Sequence, residues 1–140
     1  MSNEHSATLR TILLTAITAI LLIAGTTQYR QWVQYCRGKD AEAAKNPIIA
    51  IAGYEAAIHM YTPGSPIVER SAQALWDMGR SFEAQKDTER ALIAYRALRS
   101  SFYASRSFFL PGTEWISRCN EKIVAMEQAV KAQSAPKTKL

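Results

Sequence analysis

One stretch of this chain occurs twice. The run from Gly38 to Ala56 returns from Gly79 to Ala97, and at a shift of 41 residues the copies agree at Gly38/Gly79, Glu42/Glu83, Ala43/Ala84, Lys45/Lys86, Ala50/Ala91, Tyr54/Tyr95 and Ala56/Ala97. Asn46/Asp87 and Ile51/Leu92 agree in type. A period of about 20 to 50 residues marks units that bury their apolar faces against one another and not alone. The sequence therefore predicts an all-α fold, a small helical repeat, and not an enzyme core.

Each copy has what two antiparallel helices need. A small residue (Gly38 or Gly79) lets the axes approach, Lys45-Asn46 or Lys86-Asp87 makes a polar turn, and an Ala followed four residues later by Tyr fills the space between the helices. At these positions the chain resembles the tetratricopeptide repeat family, whose 34-residue pattern sets a Trp or Leu before Leu-Gly, then an aromatic, the turn, an Ala, an aromatic, a second Ala and a Pro. The second copy supplies Leu75, Met78-Gly79, Phe82, Lys86-Asp87, Ala91, Tyr95 and Leu98, and the first supplies Gly38, Ala41, Lys45-Asn46, Ala50, Tyr54, Ala57 and Pro63. The resemblance covers residues 31–102. It implies that the first helix of each repeat lines a groove for a peptide or helix. Carried over by register, the groove positions are Trp32, Tyr35, Lys39 and Glu42, then Gln73, Trp76, Arg80 and Glu83. Trp76 and Arg80, one turn apart, are residue types that dominate binding energies; packing of Trp76 against a capping helix is the alternative.

The chain departs from the family pattern. Its longer period places extra residues at Tyr61-Thr62-Pro63-Gly64-Ser65-Pro66, where Ser65 suits an N-cap and Pro66 a first helical position. Arg37 stands where a large residue should precede Gly38. Two repeats are few for such an array, so something must cover its ends.

Ahead of the repeat, no charge lies between Arg10 and Arg30. As a helix, Thr11 to Tyr29 extends about 29 Å, close to the roughly 30 Å of a bilayer's hydrocarbon. Tyr29, Arg30 and Trp32 suit an interface belt. The expected element is a transmembrane helix over 11–30. A cleaved signal peptide is the alternative, though Ala24-Gly25-Thr26-Thr27 makes a poor cleavage site. A buried soluble helix would need more partners than about 120 other residues supply. Thr11, Thr15 and Ala19 form a small-residue face for packing against another membrane helix, unless the span is a plain anchor. With no acidic or basic group inside, the span carries no proton path of its own. A single-pass protein of a bacterial inner membrane is expected. Arg30, Arg37, Lys39 and Lys45 after the span, against Arg10 before it, favour a cytoplasmic repeat domain, but long domains cross largely regardless of charge.

The remaining organisation is a polar tail over 1–10, a first repeat helix continuing the span through Gln31 to Arg37, and helices from Ile48 to Tyr61, Ser65 to Gln85 and Thr88 to Phe102. A capping helix over 113–132 is expected to start at Thr113 as N-cap, with a stripe of Ile116, Cys119, Ile123, Met126 and Val130. The connector over 103–112, with Phe102 before it, holds Tyr103, Phe108 and Phe109. It is either a plug against the capping helix or an apolar patch for a partner. A basic, disordered tail over 133–140 closes the chain.

The formal net charge is +5, but both signs alternate along helices, so no basic stripe for nucleic acid emerges. Cys36 and Cys119 are isolated, His59 has no acid or nucleophile at motif spacing, and no glycine loop cradles a phosphate. No metal or other cofactor, and no catalysis, is expected. Two functional classes follow: a membrane-anchored adaptor whose groove captures a protein partner to assemble a membrane complex, or an accessory subunit packed permanently into a larger membrane complex.

Overall fold

The computed structural model describes residues 2–106 and 110–134, and among the side chains those of 8–106 and 110–131. It contains five helices and, among the described residues, no strand: α1 (Ser2–Ala43), α2 (Pro47–His59), α3 (Pro66–Ala84), α4 (Thr88–Ala104) and α5 (Thr113–Ser134). The all-α expectation holds.

Helix α1 runs unbroken from its apolar stretch into the repeat, as no proline precedes Pro47. It is long and apolar enough to cross a membrane, and its most apolar window is wholly unburied. Leu13, Leu14, Ile20, Leu21, Leu22 and Ile23 are all exposed. The threonines are compatible with an apolar surround. Thr15 and Thr18 donate to the carbonyls of Thr11 and Leu14 (2.8 and 2.9 Å), and Thr26 and Thr27 both donate to that of Ile23 (2.9 Å each). Hydroxyls satisfied within their own helix cost little in lipid.

The sequence duplication is a duplication of structure. Lys45 and Lys86 both take the left-handed conformation, with φ of 57° and 61°, and reverse the chain. The next residue caps the following helix in each copy: Asn46 accepts from the Ile49 amide (3.3 Å) and Asp87 from the Arg90 amide (3.0 Å). Tyr54 donates to Glu42 (2.6 Å) and Tyr95 to Glu83 (2.9 Å), tying each second helix to its first. Tyr35 stacks near Tyr54 with centroids 5.8 Å apart, and Trp76 near Tyr95 at 5.1 Å.

Helices α2 to α5 alternate in direction, so both repeat turns lie far from the apolar stretch while the α2–α3 and α4–α5 connectors lie near it. Tyr54, Ile58, Leu75, Tyr95, Leu98, Phe102, Ile116 and Cys119 form the core between them. Ser65 caps α3 by accepting from the Ile67 amide (3.4 Å), with Pro66 opening the helix.

Several boundaries differ from expectation. Helix α2 stops at His59, not Tyr61: Pro63 has no N–H to continue it, and the buried Gln31 amide satisfies carbonyls left free at that end, donating to Ala57 and Met60 at 3.0 Å each. Helix α4 extends to Ala104 and takes in Tyr103. Thr113 does not cap α5; it is the first helical residue, and its hydroxyl donates to the Leu110 carbonyl (3.1 Å). Ile116, Cys119, Ile123 and Met126 are buried as the stripe requires, but Val130 is 43 % exposed because α5 there outruns the core. Helix α5 also takes in 133–134 of the expected basic tail, whose remainder lies outside the described residues.

Candidate partner-binding groove

The second half of the expected groove is already occupied. Helix α5 packs on α4, and its side chains reach over α3, setting the Trp115 ring 6.0 Å from that of Trp76 and the Arg118 guanidinium over both, 4.3 and 4.5 Å from their centres. Glu69 fixes this arrangement by accepting from the Trp115 indole (3.1 Å). Lys122 donates to both oxygens of Glu83 (2.8 and 2.9 Å). Burial alone would raise the Glu83 carboxyl's pKa, but hydrogen bonds from Lys122 and Tyr95, with the nearby Arg80 charge, hold it below the usual carboxylate range. Trp76, only 7 % exposed, is thus a packing residue and not an open platform.

The first half stays open. Tyr35 is half-buried beside Trp32, with centroids 5.9 Å apart, and Lys39 and Glu42 face outward on α1. Across from them on α3, Arg80 is exposed, and Gln73 is exposed but donates to Asp77 (2.9 Å). Glu42 holds its Tyr54 bond, but among the described residues no lysine reaches it as Lys122 reaches Glu83; Ser81 stands one 41-residue period before Lys122. In place of an ion pair there is a cleft of about 750 Å³ between the repeat turns, lined by Glu42, Lys45, Pro47, Asp77, Met78, Ser81, Phe82, Gln85 and Arg90.

Comparison with family models, curated proteins and solved structures finds no match to this chain.

A second cleft adjoins the first, sharing Pro47, Phe82 and Arg90 with it and extending to Ile48, Ile51 and Ile93. Its rim is apolar and open: Ile48 is 78 % exposed and Ile93 47 %. Sequence reasoning missed this surface, although it left a trace. Helix α2 reads Pro-Ile-Ile-Ala-Ile-Ala-Gly-Tyr-Glu-Ala-Ala-Ile-His, apolar almost all round, and such a helix wants cover on every side. Here only one side is covered. Gln31 was missed too; it is the first polar residue beyond Arg30 and one turn from Gln28, a pair out of place on an otherwise apolar face.

Of the connector residues, Phe102 is buried in the core and Tyr103 is 47 % exposed. Phe108 and Phe109 lie outside the described residues. Thr11, Thr15 and Ala19 lie on the exposed part of α1, and the Thr15 hydroxyl is bonded to Thr11. Cys119 is enclosed, and burial pushes its thiol up to about 12. No group of three metal-ligating side chains occurs among the described residues.

Proposed function

We propose that this chain is a non-enzymatic, single-pass membrane protein whose tetratricopeptide-like repeat binds a protein partner and helps to assemble or organise a membrane complex. The observation that carries this reading is the uncovered apolar side of α2, with Ile48 and Ile93 at the rim of the clefts between the repeat turns. Apolar side chains around a concavity with charged residues at its edge are what a docking helix or peptide requires. Glu42, Lys45, Asp77 and Arg90 supply both signs of charge there, suiting a partner of mixed charge. The bilayer is the second partner, reached by α1.

The alternative is an accessory subunit held permanently in a larger complex. It draws support from α5, whose Lys122 and Trp115 close the second copy, whereas in the first copy α3 sets Ser81 at the place of Lys122 and leaves a cleft for a permanent neighbour to fill. Substituting Ile48→Asp and Ile93→Asp in the full-length protein separates the two. Both positions are exposed, so thermal unfolding should not change, while crosslinked partners should be lost if the clefts hold them. Partners that survive those changes but disappear with Thr15→Leu or Ala19→Leu would refute groove capture and favour a subunit held by its span.

A further inference from the structure

The domain end nearest the span sits at the height where α1 leaves its apolar stretch. Ser65 donates to Gln31 Oε1 (2.5 Å) and lies 3.5 Å from Gln28 Oε1, so the α2–α3 loop is tied to the two glutamines that bracket Tyr29 and Arg30, where the uncharged run ends. Residues 28 to 31 cover about 4.5 Å of helix axis, and the headgroup layer is roughly 5 to 8 Å thick on each side of a bilayer. That loop therefore stands within the headgroup layer when the uncharged run fills the hydrocarbon.

The α4–α5 connector stands beside it. Pro111 and Gly112 share a small cavity of about 190 Å³ with Tyr61 and Gly64 of the α2–α3 loop. Outward from there, Leu110 is 69 % exposed, and Tyr103, 47 % exposed, carries the Arg106 guanidinium 4.5 Å from its ring centre. An exposed leucine and a tyrosine paired with an arginine are residue types that settle at a membrane interface, where rings and aliphatic stems meet acyl chains and charges stay among headgroups. Arg30 and Arg70 add positive charge at this end, against Glu114 and a Glu69 already bonded to Trp115. The repeat turns lie about 24 Å farther along the axis, out of reach of the surface.

We propose that Leu110 and the Tyr103–Arg106 pair, at the α5 and α4 sides of the α4–α5 connector, rest on the bilayer surface as a second membrane contact. This rests on the reading of α1 as a span. Span and connector together hold the repeat at a fixed angle, with the clefts at the repeat turns facing away from lipid.

The test uses the full chain with Cys36→Ala and one new cysteine at Ile17, Ile48 or Leu110, each carrying a nitrobenzoxadiazole label, in vesicles of phosphatidylcholine and phosphatidylglycerol. Cys119, enclosed and with its thiol pushed up to about 12, stays unlabelled at neutral pH. The Ile17 label should be quenched by deep spin-labelled acyl chains. The Leu110 label should be quenched by headgroup-level spin labels and be several-fold less accessible to iodide than the Ile48 label. A Leu110 label as open to iodide as Ile48, or shielded from both quenchers, overturns the connector contact while the span stands. An Ile17 label beyond the reach of lipid quenchers overturns the span, and the connector contact with it.

Discussion

The glycines of the two hairpins set how closely their helices approach. A Cβ on Gly79 would meet the Tyr95 ring at 2.6 Å, whereas one on Gly53 would meet the backbone nitrogen of Gly38 at 2.6 Å and its Cα at 2.7 Å. A ring end can yield and a backbone cannot, so Gly53→Ala should destabilise more than Gly79→Ala, both within or above the ~1–3 kcal/mol of overpacked cores. The period explains the difference, since position 94, which answers to Gly53, is a buried alanine. Thermal unfolding of the two variants in one detergent decides the order. The tyrosines make a second prediction. Burial, reinforced by Glu42 and Glu83, pushes the Tyr54 and Tyr95 phenols well above their ordinary range. A phenol with a raised pKa keeps its proton in the folded state after the unfolded state has released it. The stability it contributes is whole below about pH 10 and falls as pH rises above that, by about 1.4 kcal/mol per unit for each phenol. Tyr95→Phe should cost about 1 kcal/mol at neutral pH through the lost bond to Glu83 and yet lessen the alkaline slope by about a third, the rest coming from Tyr54 and the buried Cys119 thiol. Urea unfolding across that range measures both effects, and an unchanged slope would contradict the assignment.

Among the elements, the join between α1 and the repeat depends most on one side chain. Gln31 bonds two carbonyls at the end of α2 and the Ser65 hydroxyl that caps α3, so three elements meet at a buried amide. Gln31→Ala strands those groups, at a cost of about 1–3 kcal/mol for each one left unsatisfied. Hydrogen exchange should quicken at the α2 end and the α3 start while α4 and α5 stay protected; uniform quickening would mean that the join is not local. How far such elements can be read from sequence depends on the range of the interactions that make them. The capped turns at Asn46 and Asp87, the Pro66 start and the tyrosine register follow from neighbouring residues and a visible period. Gln31 was illegible because its partners are 26 or more positions away. The expected groove was half legible for the same reason. Lys39 and Glu42 are exposed and Tyr35 half-buried as their helix positions require, but the covering of Trp76 depends on Trp115 and Arg118, which no local rule connects with it.

At the scale of the whole molecule, the two ends of the chain contribute unequally to stability. From residue 8 to residue 26 no side chain of α1 is better than exposed, so that segment adds nothing to the domain's core. Helix α5 buries Trp115, Ile116, Cys119, Ile123 and Met126 and covers Trp76. At about 1.5–3 kcal/mol per large apolar side chain, burial of Trp115, Ile116, Ile123 and Met126 amounts to roughly 6–12 kcal/mol, comparable to the whole margin of about 5–15 kcal/mol by which a domain stays folded. A protein beginning at Thr27, which keeps Gln28 and Gln31, should therefore unfold at nearly the same temperature as the full chain. One ending at Leu110 should fail to fold, exposing Trp76 and Leu98 and aggregating. Ending the chain after Met126 should cost little by comparison, since Val130 beyond it is already exposed and the Arg96–Glu127 pair (2.7 Å) that is lost lies at the surface. Circular dichroism melts of the three truncations separate the cases. If the protein lacking α5 melts cooperatively near the full-length temperature, α5 is an addition to a self-sufficient pair of hairpins, and the space it fills on α3 is open to an exchangeable partner after all.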